Sequence, residues 1–96
     1  KTKNYFIRVD ELSNSKYRYA SWKINKIESS KPDIILNNGV LEFEGSGGNH
    51  VITFSNGSYT YKVYRNIIGE KNAPDITFEV EKDGKIILTE DGTIMQ

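Results

Sequence analysis

The pair Asn56-Gly57 constrains this chain more than any other feature, because alternating apolar and polar residues flank it on both sides. An Asn-Gly pair in this setting is the strongest short signal for a two-residue hairpin turn, since both residues tolerate positive φ. We predict a type I′ turn that pairs Phe54 with Tyr59. This register places one set of side chains on a common face: Ile52, Phe54, Tyr59, Tyr61 and Val63.

A second pair, Asn38-Gly39, follows the same pattern. A two-residue turn there would join two short strands and pair Leu36 with Leu41, so that both leucines lie on one face. We therefore predict another hairpin at this position.

The pair Asp83-Gly84 requires a different turn. A two-residue turn would set Ile86 opposite Glu81, and apolar and acidic residues would share a face. A three-residue loop with Gly84 in a left-handed bulge instead pairs Val80 with Ile86. We predict this bulged turn.

The composition supports strands throughout the chain. Ile and Val number 17, whereas Leu and Ala together number 6. Branched side chains suit a pleated surface and crowd a helix. We expect a single all-β domain over residues 1–96, a small antiparallel and mostly up-and-down β-barrel or compact sandwich of about eight short strands.

Charge and residue usage argue against several classes of protein. Lys and Arg number 13, equal to Asp and Glu, whereas nucleic-acid-binding proteins usually carry a basic surface. No apolar run reaches the roughly 20 residues of a transmembrane helix. Zero Cys and one His argue against thiolate or multi-imidazole metal sites. We expect a chain without catalytic residues, metal or cofactor.

The segment Gly45–His50 is the most unusual local sequence. A glycine-rich loop exposes backbone N–H groups and fits a partner's cleft, although a mobile hairpin connection has the same composition. We expect His50 to cap the apolar face of its hairpin with a hydrogen bond to the backbone. The candidate binding residues of this loop are Ser46, Gly47, Asn49 and His50.

A second candidate binding surface consists of tyrosines. Alternation in residues 17–24 places Trp22 on the core side and Tyr17 and Tyr19 on the opposite, outward side. With Tyr64 and neighbouring arginines they would form a protein- or sugar-binding patch, since Tyr and Arg dominate binding hot spots. Cross-strand aromatic pairing on a wet sheet face is the alternative.

The order of motifs in residues 45–64 resembles the periplasmic and membrane-bound inhibitors of C-type lysozyme, the MliC/PliC family. Ser46–His50 resembles the family's Ser-Gly-x-x-Tyr loop, and Phe54–Gly57 resembles its aromatic-x-Lys-Gly turn. His50 stands in place of the Tyr, and Asn56 in place of the Lys that enters the lysozyme cleft. The resemblance implies a small β-barrel, with Ser46 as the residue that transfers cleanly.

These observations predict a non-enzymatic binding module, periplasmic, envelope-anchored or secreted, whose partner is a protein or a glycan. Its sharpest version is a lysozyme-inhibitor-like protein that acts through Gly45–His50, with Asn56 as a further candidate contact. The alternative is a structural or assembly domain of an extracellular or envelope complex that interacts through exposed strand edges.

Overall fold

The computed structural model describes residues 1–25, 31–45, 47–67 and 73–94. Each strand pairs antiparallel with the next along the chain, and the sheet curls into a half-barrel. Among these residues there is no helix with the length and hydrophobicity needed to span a bilayer. The predicted all-β, up-and-down architecture is confirmed. The strands are β1 (Tyr5–Glu11), β2 (Tyr17–Lys23), β3 (Ile34–Phe43), β4 (His50–Asn56), β5 (Tyr59–Arg65), β6 (Ile76–Lys82) and β7 (Lys85–Gly92).

The described residues contain seven strands instead of about eight, because β3 is continuous where we predicted a hairpin at Asn38-Gly39. Asn38 has the left-handed φ of 62° that a turn would need. The register shows a bulge, since Tyr17 and Tyr19 of β2 face Gly39 and Leu36, which leaves one extra residue on β3. The first half of β3 pairs with β2 and the second half with β4. The predicted turn is therefore a bend within one strand.

The bend requires a glycine at position 39, because the ring of Phe54 occupies the space that a side chain would fill. A Cβ at this position would lie 2.7 Å from Cζ of Phe54, which is closer than real Cβ atoms come to a ring. Phe54 has an exposed fraction of 0% and packs into the space that the glycine leaves. The missing side chain thus lets the ring lie directly on the backbone of the bend.

The β4–β5 hairpin confirms the predicted faces, but its turn lies one residue further along the chain and its register differs by two residues. Asn56 pairs with Tyr59, so Gly57 and Ser58 form the two-residue turn, and Gly57 carries a φ of 62°. Phe54 therefore pairs with Tyr61 and not with Tyr59. Moving the turn by one residue shifts the pairing by two, and a shift of two preserves the face of every side chain.

The β6–β7 connection is a two-residue turn, so the predicted three-residue loop is wrong. Asp83 and Gly84 both have positive φ, 51° and 81°, as a type I′ turn requires. A bulge further along β7 returns the apolar side chains to a common face. At this bulge Val80 pairs with Leu88, and Ile87 is the extra residue. The structure thus places the bulge in the strand beside the turn.

Aromatic rings fill the inside of the half-barrel. The ring of Tyr19 lies 5.5 Å from that of Phe54, 6.0 Å from Phe78 and 5.7 Å from Tyr61, measured between centroids. Aromatic pairs at such separations contribute stabilisation in addition to that gained from the surface area they bury. The buried core consists of Tyr19, Leu36, Ile52, Phe54, Val63, Phe78 and Val80.

Tyr19 corrects the prediction for β2. We expected Tyr17 and Tyr19 to face outward, but Tyr19 is 1% exposed and Tyr17 is half-buried against the core. Trp22 is buried as predicted, but it alternates with Tyr19 and so lies on the other side of the strand. Because β2 is buried on both faces, alternation alone could not identify the inner one.

The two ends of the sheet meet at one corner, where Thr2 bridges Gly92. Asn4 reinforces this contact by donating hydrogen bonds from its backbone N and Nδ2 to the carboxylate of Glu90, at 3.1 and 2.6 Å. Desolvation opposes ionisation of Glu90, but the hydrogen bonds from Asn4 and Thr2 outweigh it and lower the pKa of the carboxyl. The corner keeps the sheet curled over its aromatic core.

Candidate functional site

The inner face opens into a cleft of ≈ 390 Å³ at the end of the half-barrel where β4 begins. This volume lies within the range of roughly 300–1,000 Å³ typical of ligand pockets. We call it the His50 cleft. Its side walls are apolar and its polar lining is basic or hydroxylic: Ile7, Val9, Ile52, Val63, Ile76 and Ile94 with Phe6, and Lys1, Arg8, His50, Arg65, Thr2 and Thr93.

Strand alternation explains why His50 and Arg65 line this cleft. His50 is two residues before Ile52 and Arg65 is two residues after Val63, so each shares the inner face with a buried neighbour. The two residues are also directly paired across β4 and β5. The ends of two neighbouring strands therefore place an imidazole and a guanidinium side by side at the rim.

His50 is fixed by its own loop. Its Nδ1 lies 2.9 Å from the carbonyl oxygen of Gly48, which can only accept, so Nδ1 carries the proton and donates. In the neutral ring, Nε2 is then an acceptor. The ring also packs edge-on against Phe43 at 5.6 Å. The predicted hydrogen bond from His50 to the backbone is confirmed.

Arg65 is held at the rim by the β5–β6 connection. Its Nη1 donates to the carbonyl oxygens of Asn66 and Asp75, both at 3.2 Å. A guanidinium has five N–H donors in a rigid fork, so these two bonds leave other donors available for a carboxylate. The arrangement presents a positioned cation at the mouth of an apolar cleft.

The Gly45–His50 loop is tied to the same end of the molecule. The side chain of Asn49 accepts a hydrogen bond of 2.6 Å from the backbone N–H of Ile67, and Gly48 lies against the Ile67 side chain. Gly48 also has a φ of 91°, which favours glycine. The structure thus places His50 in the lining of the cleft and Asn49 against Ile67 beside it, with Gly47 in the same loop, whereas Ser46 lies outside the described residues.

The remaining candidates lie elsewhere. Asn56 is at the other end of β4, about 20 Å from His50 at roughly 3.4 Å per residue. Tyr64 is half-buried on the outer face, near the Lys62–Glu81 ion pair of 3.2 Å. Burial, with the nearby Glu79 carboxylate, raises the pKa of Tyr64. Neither Asn56 nor Tyr64 joins the His50 cleft, and the buried Tyr19 is unavailable to an exposed patch.

A second, smaller cleft of ≈ 160 Å³ borders the aromatic core and is lined by Tyr5, Tyr19, Tyr59 and Tyr61 among others. Burial strongly raises the pKa of Tyr19, although a hydrogen bond with Ser21 partly opposes the shift. Burial also raises the pKa of Tyr61. These phenols stay neutral at physiological pH and serve as packing groups.

The polar groups that line the His50 cleft are basic or hydroxylic. Within the described ranges no three His, Cys, Asp or Glu side chains lie close enough to hold a metal ion. No Asp or Glu of the described ranges lines the cleft. The chain matches no protein-family model, no curated protein and no solved structure.

The His50 cleft was not predicted from the sequence, although several of the residues that line it were candidates. Arg65 was one of the arginines placed beside the outward tyrosines, and of the isoleucines in the walls only Ile52 was assigned to the inner face. The alternation of the strands could have predicted the cleft. His50 and Arg65 each lie at the end of a strand and alternate in step with its inward-facing residues. Polar residues in that phase on adjacent strands predict a polar rim on an apolar interior.

Proposed function

We propose that this chain is a non-enzymatic binding module, periplasmic or secreted, whose ligand site is the His50 cleft with the adjoining Gly45–His50 loop. The observation that supports it is a ligand-sized apolar cleft with a positioned arginine at its rim, beside the glycine-rich loop. The family resemblance of residues 45–64 supports the location outside the cytoplasm.

The most specific form of this proposal is that the chain inhibits a C-type lysozyme. Glycosidases act through a pair of carboxyl groups, so their clefts attract positive charge. The resembled family supplies that charge as a lysine at the position of Asn56. Here Asn56 is uncharged and lies at the other end of β4, whereas Arg65 provides a cation beside the loop that carries Ser46.

The residual lytic activity of C-type lysozyme mixed with an excess of the chain tests this version. We expect inhibition by the wild type and weaker inhibition by Arg65→Gln, since a charge-assisted hydrogen bond contributes about 1.5 kcal/mol, or about tenfold in affinity. Asn56→Ala is the matched control at the opposite end and should inhibit like the wild type.

Two outcomes would contradict the lysozyme version. Undiminished lysis at micromolar excess of the wild type would remove it. Inhibition that Asn56→Ala abolishes and Arg65→Gln leaves intact would place the contact at the other end of the barrel.

A second candidate function is assembly through strand β7. Ile86 and Ile87 of this edge strand are 59% and 56% exposed. Edge strands with exposed apolar side chains are templates for further pairing. An antiparallel pair of β7 strands centred on Leu88 would set Lys85 of one copy opposite Asp91 of the other, which favours that register.

Sedimentation at increasing concentration tests the assembly candidate. We expect self-association that Ile87→Lys abolishes, because it adds a charge to the pairing surface. Ile35→Lys is a matched control, since Ile35 is 49% exposed on β3, an interior strand of the sheet. A wild-type chain that stays monomeric at all concentrations would contradict assembly.

A further inference from the structure

Charge is segregated at the His50 cleft. The whole chain has a net charge of zero, yet the described ionisable residues that line the cleft are all basic: Lys1, Arg8, His50 and Arg65. Arg8 is paired with Asp10 at 3.0 Å and the Lys1 ammonium lies over the Phe6 ring, so Arg65 is the cation held at the rim without a carboxylate partner among the described residues. In the part of the chain that the structure describes, no Asp or Glu is among the lining residues. Positive groups around a low-dielectric concavity focus their field into it and favour an anion.

The walls below this rim are hydrocarbon. Ile52 and Val63 form a buried floor, at 8% and 9% exposure, and Ile7 and Ile76 are half-buried. Ile94 is 42% exposed and also lines the cleft. Covering apolar surface of this kind gains roughly 25 cal/mol per Å². A ligand that fills the cleft therefore needs an apolar body as well as a negative group.

Arg65 is the group best placed to contact the anion. Its hydrogen bonds to the carbonyl oxygens of Asn66 and Asp75 fix the guanidinium before any ligand arrives. A positioned guanidinium binds a carboxylate through two parallel bonds and loses little side-chain entropy. Arg65 carries the contact with the anion alone, because Nε2 of the neutral His50 ring on the directly paired residue is an acceptor like the carboxylate oxygens.

We propose that the His50 cleft binds a single-chain anionic amphiphile, a fatty carboxylate whose head lies at Arg65 and whose tail lies along the isoleucine walls. This inference deepens the proposed function, because it names a ligand class for the same cleft. It does not depend on lysozyme, so failure of inhibition and failure of carboxylate binding are separate results.

Calorimetric titration with three probes of equal tail length tests the proposal: decanoate, decanol and decylammonium, each below the concentration at which it aggregates. We expect decanoate to bind about tenfold more tightly than decanol, as one charge-assisted interaction predicts, and decylammonium to bind most weakly. Arg65→Gln should remove the difference between decanoate and decanol. Arg18→Gln is the matched control, since Arg18 lies on an exposed surface beside Asp10 and should leave the difference unchanged.

Methyl NMR of the wild-type chain provides a readout that needs no variant. We expect decanoate to shift the methyl signals of Ile7, Ile52 and Ile76 and to leave Ile34 and Leu88, which line the smaller cleft, unchanged. Shifts confined to the smaller cleft, or equal affinity for the three probes, would overturn the proposal. Binding to anionic vesicles without binding to monomeric decanoate would assign the basic rim to a membrane surface and would also overturn it.

Discussion

Replacing Phe54 by alanine should lower the free energy of unfolding by about 4 kcal/mol, within the usual range for a fully buried phenylalanine. Phe54 has no exposed surface, packs on Tyr19 and covers the backbone at Gly39. Its removal leaves a cavity between Tyr19 and the bend of β3 at Gly39. Urea denaturation, followed by circular dichroism, measures the change.

Phe43→Ala is the matched control for this prediction. Phe43 is 67% exposed and contacts only the edge of the His50 ring among its aromatic neighbours in the described residues. Its loss should cost about 0.5 kcal/mol, as is usual for surface positions. Equal destabilisation by the two substitutions would contradict the assignment of Phe54 to the inner face.

Replacing Gly39 by alanine should cost about 3 kcal/mol, although alanine adds a single methyl group. The new Cβ would overlap the Phe54 ring, which is enclosed and cannot move away. Gly57→Ala is the matched control: its Cβ would have nothing within 4 Å, and only the φ of 62° opposes it. That backbone strain should cost about 1 kcal/mol.

A double-mutant cycle separates the steric overlap between the new Cβ and the Phe54 ring from the other effects of Gly39→Ala. If the cost of Gly39→Ala comes from the Phe54 ring, it should fall by more than about 1 kcal/mol in a Phe54→Leu background. An unchanged cost in that background would contradict the packing of Phe54 on the bend.

The faces of β4 and β5 could be predicted from sequence because their alternation is unambiguous. Ile52, Phe54 and Val63 are all buried as expected. The Asn-Gly and Asp-Gly pairs predicted where the backbone adopts positive φ, but not whether that conformation forms a turn or a bulge. A left-handed residue such as Asn38 fits either structure. Only the packing of Phe54 on Gly39 decides between these uses, and that contact joins residues far apart in sequence.

The inner face of β2 and the cleft could not be predicted for a related reason. Tyr19 and Trp22 are both large and mainly apolar, so a strand buried on both sides gives no contrast between its faces. His50 and Arg65 could be assigned to the inner face by phase. Their position opposite Ile7 of β1 depends on the curl of the sheet, which brings the first strand over the fifth.

The curled fold and the His50 cleft both require Tyr19 of β2 to face Phe54 of β4 and Phe78 of β6 across the inside of the half-barrel. Nuclear Overhauser effects between the ring protons of these three residues test this arrangement directly. Centroid separations of 5.5 and 6.0 Å predict strong cross-peaks from Tyr19 to both phenylalanines. The fold and the cleft derived from it would be contradicted if the Tyr19 ring showed cross-peaks to neither phenylalanine and its signals responded to a water-soluble paramagnetic probe.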